Sequence, residues 1–458
     1  MGFFTFTYSY DAPGTLSELS FLDLSLSSVW MLLTVFALFL YRSTRKEEEY
    51  KYFLPFFFFK IILVSAFIAL YVFYYGGGDG IAYWSGANSL VDLSLSDFGA
   101  FLKEVFGNNE NIGFSNEFIV HGIRYPGWIF KEPEGYFVSK TAWFFNLISG
   151  KNLILTSLYF TLFSFLAQWR FYRFLMASFL KERTSKFSIL FLFLPSVAFW
   201  CSGVAKDTLV LIGILGLSRF LLKWFVLKER KTLNLLWMIF YAWLLIKTRN
   251  ITFIITMGSF VLMYLFTLAN IVENKALRFS LRTVIFIIGL AGIAGSLIFT
   301  GANEVLNNYL NDAAVIQQDF ANNALYTGAK YNIGINDFSI SSLIIASPLA
   351  IITGVLRPFL WEALSPTLLL NGIEGLVLFY LFWKKIVLKW RSYFSQLMKN
   401  KLVLFSLIFV ILFAFSTGLT SVLFGVLVRL RAPLLLFFVI VLYWKDFRVL
   451  NSESKATD

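Results

Sequence analysis

The carboxylate best placed to move a proton is Asp79, in the stretch YYGGGDGIAYWSGAN directly after an apolar run. Three glycines before it and one after it permit backbone shapes closed to other residues and let a ligand approach closely. A carboxylate held in this way can serve as a general base toward a hydroxyl, with Tyr83 and Trp84 nearby as a surface for stacking or packing. The plainer alternative is a solvated acid at a flexible helix exit. Lys206 and Asp207 stand together in FLPSVAFWCSGVAKDTLVLIG, where two apolar runs leave room only for a tight turn. A lysine there either snorkels to water from a helix start or meets an anionic ligand.

The same choice recurs along the chain. Lys247 and Arg249 in IKTRNI, Arg357 in VLRPFLWEAL, and Arg429 and Arg431 in LVRLRAPLL all border or enter apolar runs. Ionisable groups there are costly unless paired or wetted, so each is a candidate for function. Singly, each suits a lipid headgroup; together, basic clusters on one face point to phosphate, whose oxygens match the bidentate fork of arginine. Glu362 is either the partner of Arg357 or a group that orients a substrate hydroxyl, while Glu374, inside an apolar run, reads as a buried structural carboxylate. His121 and Arg124 in IVHGIRYPGW read as loop residues. The chain has one histidine and one cysteine, Cys201, which excludes an intrachain disulfide and leaves no His/Cys set for zinc or haem. No cofactor is required, and a divalent metal on oxygen ligands stays open.

The elements that must hold these residues follow from composition. The 458 residues are 58% hydrophobic and 19% aromatic, with only 14% charged, against roughly 25% in soluble domains. Apolar runs recur at the length that crosses a hydrocarbon core about 30 Å thick. The chain therefore reads as an all-α integral membrane protein of about eleven transmembrane helices. These spans fall near 21–41, 53–75, 152–180, 187–203, 205–222, 232–246, 251–271, 283–300, 366–383, 401–423 and 427–444. The N-terminal stretch has no basic leader and reads as a short acidic tail rather than a cleaved signal peptide. The net charge of +12 sits in clusters at the ends of spans, which argues for topology signals and against nucleic acid as a partner.

Those clusters fix the expected orientation. Lysines and arginines follow the first, third, fifth, seventh, ninth and last spans, so these connections are cytoplasmic, the N-terminus is outside and the C-terminus inside. The stretch 341–366, interrupted by Pro348, Gly354 and Pro358, breaks this alternation as a full crossing. It is expected to be re-entrant or interfacial, beside protein or a wet cavity. Residues 76–151 form a first long outer loop with two amphipathic helices along the membrane surface, one carrying Leu90, Val91, Leu95, Phe98, Leu102 and Phe106, the other Tyr136, Phe137, Trp143, Phe144 and Leu147. Residues 301–366 supply the second outer loop with the re-entrant segment. No repeat or separate soluble domain is evident, so 1–458 reads as a single polytopic membrane domain.

Asp79 with YWSGAN, PSVAFWCSGVAKD, RPFLWEA followed by Glu374, and the final RLRAP resemble segments of bacterial multi-pass glycosyltransferases of the GT-C class. That resemblance implies an acidic residue in the first large outer loop, amphipathic helices in that loop, and a polyprenyl-phosphate sugar as donor. The acceptor would be a glycan, a lipid or a protein, in the inner (cytoplasmic) membrane of a bacterium. It implies Asp79 as the catalytic base, with Lys206, Asp207, Arg249, Arg357, Glu362, Arg429, Arg431, Tyr83 and Trp84 binding substrate or the donor phosphate. The chain departs from the class in lacking a clear Asp-x-Asp and in placing its first acid after the second span. An O-antigen polymerase or ligase, a lipid or polysaccharide flippase, and a non-catalytic subunit of an export machine remain alternatives.

Overall fold

In hydrocarbon, a backbone must satisfy its own hydrogen bonds, and a chain of this composition meets that demand with helices. The computed structural model describes residues 21–107, 116–180, 185–269, 329–333, 340–363 and 365–449, together with Asn274, Leu277, Ser280 and Val284. The expected span 283–300 apart from Val284, most of the second outer loop and the N-terminal tail lie outside the described residues. Among the described residues there is no strand, only two isolated bridges. Six helices among the described residues are long and apolar enough to cross a membrane, or up to eight if each of two bent pairs is one span.

Contacts divide the chain into two compact units, one of residues 1–170, 198–215 and 240–250, the other of residues 171–197, 216–239 and 251–458. In the first, α1 (Phe21–Ser43) and α2 (Phe53–Ala69), extended by a π turn over Leu70–Tyr74, follow the first two expected spans. Next come α3 (Asp79–Ser96), α4 (Phe98–Phe106), α5 (Asn116–Val120), α6 (Pro133–Ser149) and α7 (Leu153–Ser178), whose residues from Phe171 on belong to the second unit. The expected surface helix over 90–106 is two helices rather than one, because Asp97 leaves helical geometry and its Oδ1 accepts from the amides of Gly99 and Ala100 at 2.8 and 3.0 Å. That bond is an N-cap, and it ends α3 by starting α4. The face of α3 that carries Tyr83, Ala87 and Leu90 packs with Tyr136, Val138 and Ala142 of α6 into one buried cluster. Leu95, Phe98, Leu102 and Phe106 stay exposed.

The expected span 187–203 is also broken, into α8 (Ser185–Leu192) and α9 (Pro195–Trp200), with Pro195 opening the second. It is followed by α10 (Lys206–Leu221) and α11 (Thr232–Leu268). Two helical arms make up α11 and meet at Arg249, whose φ of −162° and ψ of 93° leave helical geometry, so the helix break falls where the spans 232–246 and 251–271 were expected to be joined.

In the second unit, α12 (Ile340–Leu356), α13 (Pro366–Lys385), α14 (Trp390–Leu397), α15 (Lys401–Thr420), α16 (Phe424–Leu430) and α17 (Ala432–Leu442) complete the described chain. Ser365 and Asn400 cap α13 and α15 through the amides of Leu368 and Val403, and α16 meets α17 at a 60° bend. The expected re-entrant stretch begins as α12, which packs on α15 through Ala350 and Gly354 facing Ala414 and Gly418. Small residues four apart on both helices let the backbones touch, the usual means of helix association where no hydrophobic force acts between helices. A Cβ on Gly354 or on Gly418 would overlap the carbonyl of Ala414 or Ala350. Gly418→Val is therefore expected to force α12 from α15 at an overpacking cost of about 1–3 kcal/mol or more. Thermal unfolding of the purified protein in detergent checks this, and an unchanged melting temperature would contradict that packing.

Candidate functional site

Asp79 is the first residue of α3 and half-buried. Gly78 before it adopts φ +115°, and a Cβ there would lie 2.8 Å from the Tyr71 ring. Only glycine fits that junction, so the glycines serve a sharp entry into a helix rather than a flexible loop. A carboxylate in a first helical turn is favoured by the positive end of the helix dipole. Gly80 in turn faces the carbonyl of Val204, to which an added Cβ would come within 3.1 Å. Asp79 is thereby held beside the turn that leads into Lys206.

Lys206 opens α10, where the helix dipole disfavours a cation, and its ammonium is buried between Glu132 Oε1 at 2.8 Å and Glu134 Oε2 at 2.7 Å. These glutamates flank Pro133, which begins α6, so they occupy the end of a helix that suits anions. Asp207, fully buried, pairs with the Arg249 guanidinium at 2.9 Å. At the break in α11 the amide of Asn250 donates to Glu134 Oε1 at 3.4 Å. One network thus fastens the starts of α6 and α10 and the break in α11.

Two expectations change here. Lys206 and Arg249 were expected to meet an anionic ligand; instead each already holds a carboxylate of the protein, and the named groups comprise four carboxylates, Asp79, Glu132, Glu134 and Asp207, against two cations. Tyr83 and Trp84 were expected as a stacking surface. Both are buried, because helical spacing turns Tyr83 into the α3–α6 core, and Trp84 donates its indole N–H to the Lys151 carbonyl at 3.0 Å. Neither presents a ring face to a sugar. Glu132 and Glu134 were not singled out from the sequence, although two acids bracketing a proline in KEPEGY, in the same outer loop as Asp79, were visible there.

The second unit holds its own polar group. Arg357, at the end of α12, donates from Nε to both Glu362 oxygens, at 2.9 and 3.1 Å, and from Nη2 to Glu362 Oε1. Its guanidinium also lies 5.1 Å from the ring centroids of Tyr331 and Phe424. Glu362 is thus the arginine's partner. Arg431, fully buried at the bend between α16 and α17, donates from Nη1 to the carbonyls of Val355 and Arg357, the unpaired end of α12. Arg429 is half-buried one short step before it in α16. Glu374 is buried as expected, with Oε2 accepting from the Ser196 amide at 2.9 Å and hydroxyl at 3.0 Å. Among the described residues no group of three or more His, Cys, Asp or Glu side chains is arranged to hold a metal ion.

Burial acts to raise the Glu362 carboxyl, but the Arg357 hydrogen bond, the Phe359 amide and the Arg357 charge outweigh it and hold the group below its ordinary value.

No protein-family model, no curated protein and no solved structure matches this chain.

Removing Arg249 strands a buried Asp207 charge. Arg249→Leu is therefore expected to cost about 3–5 kcal/mol, and Asp207→Asn in the same chain to recover part of it. A double-mutant cycle of unfolding free energies measures this coupling, and additive losses would contradict it. Because the Glu362 carboxyl is held low in the folded state, its contribution is complete above the unfolded carboxyl value and is lost as pH falls through the lower folded value. The stability gap between wild type and Glu362→Gln should thus be constant near neutrality and shrink in acid; a gap that widens in acid would reverse the assignment.

Proposed function

We propose that this chain is a membrane glycosyltransferase that moves a sugar from a polyprenyl-phosphate donor to an acceptor hydroxyl on the outer face of a bacterial inner membrane. The observation that carries the proposal is Asp79: a half-buried carboxylate at the start of a helix, directly beyond a membrane-length helix, beside a fixed set of acids and cations. In this reading Asp79 accepts the proton of the acceptor hydroxyl as its oxygen bonds to the anomeric carbon, and the bond from that carbon to the phosphate oxygen breaks. Glu132 and Glu134, anchored by Lys206 and partly exposed, accept hydrogen bonds from sugar hydroxyls. Arg249 and Lys206 offset two of the four carboxylates, which lessens the repulsion that this acidic cluster exerts on the leaving phosphate.

About eleven spans with the N-terminus outside and the C-terminus in the cytoplasm complete the proposal. Its support is the alternation of basic connections along the sequence.

A transporter is the second reading, favoured by one feature. Transporters build sites from discontinuous helices, and here α11 is broken at Arg249 while α16 and α17 bend around the buried Arg431.

Asp79→Asn is expected to lower glycan transfer by about 10²–10⁴-fold while expression and membrane insertion stay normal. Lipid-linked sugar should accumulate in cells that carry only this variant. Full transfer activity would remove Asp79 from the chemistry; absence of transfer by the purified wild-type protein, with lipid-linked sugar left on the cytoplasmic leaflet in cells that lack it, would favour the transporter.

A further inference from the structure

The Arg431 guanidinium is fully buried, yet its hydrogen bonds use only one of its three nitrogens. Nη1 is committed to the carbonyls of Val355 and Arg357. Nε and Nη2 are buried and have no hydrogen-bond partner among the described residues. These two nitrogens share one edge of the planar group, and that edge points two N–H bonds in parallel, the geometry that takes two oxygens of one phosphate. Buried donors left open in this way are costly. They are kept where something else fills them. Helix α17 starts at this arginine, so its positive dipole end adds to the same field.

A second open atom narrows the ligand. Glu374 stands at the same end of α12 that Arg431 holds, since a Cβ on the next residue, Gly375, would lie 3.0 Å from the Leu356 carbonyl, between those of Val355 and Arg357; while its Oε2 is occupied by Ser196, its Oε1 is buried without a partner among the described residues. A bare anion would satisfy the arginine and be repelled by the carboxylate. A ligand that offers an oxyanion to Arg431 and a hydroxyl to Glu374 Oε1 satisfies both. We propose that Arg431 and Glu374 form a binding site in the second unit for a hydroxyl-bearing phosphate, the arginine edge taking two phosphate oxygens and the glutamate accepting from a hydroxyl. A lipid-linked sugar phosphate is one such molecule. To that extent the proposal deepens the transferase reading, but the site does not involve Asp79 and its test reads binding alone.

The full-length protein in phosphatidylcholine nanodiscs is titrated with glycerol 3-phosphate and with inorganic phosphate, while melting temperature and Kd are followed. A preference for glycerol 3-phosphate of about tenfold or more is expected, the worth of one good hydrogen bond to a charged group. Arg431→Lys keeps the charge but removes the paired edge, and should weaken glycerol 3-phosphate binding by a similar factor. Glu374→Gln should lose the preference by strengthening inorganic phosphate, an outcome that a folding defect cannot produce. Nanodiscs containing phosphatidylglycerol, whose headgroup is itself a hydroxyl-bearing phosphate, identify the source. Arg431-dependent stabilisation by that lipid alone assigns the site to a headgroup, and competition by the soluble probe assigns it to a free phosphate. If both probes bind equally in the wild type, or if neither probe nor lipid shows dependence on Arg431, the site does not exist. Transfer activity that survives in Arg431→Lys would leave Asp79 in place and overturn only a need for this site in transfer.

Discussion

Hydrocarbon cannot hydrogen-bond a backbone that leaves the helix, and this constraint explains where the charged residues of the chain stand. Each break frees amides or carbonyls that need a partner wherever water is kept out. At the break in α11 the Asn250 amide finds Glu134, and Arg249 itself is held by Asp207. At the end of α12 the carbonyls of Val355 and Arg357 find the Arg431 guanidinium, which stands at the bend between α16 and α17. Broken helices and buried ions are therefore one feature. The ions close the breaks, and the breaks give the ions their partners.

The same pairing changes what the cations can do. An arginine or lysine near a membrane surface invites a phosphate, but Lys206 is enclosed by Glu132 and Glu134 and Arg357 by Glu362. These cations are spent on holding carboxylates in place. Arg431 differs, because backbone carbonyls use one nitrogen and leave a whole edge of the guanidinium open. The first unit thus gathers acids about Asp79, suited to hydroxyl chemistry, whereas the second buries an arginine whose open edge suits an oxyanion.

Much of the architecture was legible without coordinates. The starts of α2, α7, α10, α13 and α15 fall close to those expected from apolar runs and punctuating residues, and Glu374 was recognisable as a buried acid. The errors are local in origin. The surface helix over 90–106 splits because Asp97 caps a new helix, a competition between side chain and backbone that a hydrophobic period does not register. Tyr83 and Trp84 read as a ligand surface because glycine-rich sequence suggests a loop; the glycines instead allow one sharp turn at Gly78, after which helix geometry buries both rings.

The sequence by itself determined the solvent of this protein, the helical class and the identity of the anomalous charges, since composition and hydropathy act along the chain and need no fold to be read. Tertiary structure alone decided which charges meet. Glu132 and Lys206 are 74 positions apart, as are Arg431 and the Arg357 carbonyl it holds. An ion pair depends on which faces of two helices come together, and nothing in the local pattern of either helix encodes the face its partner will present.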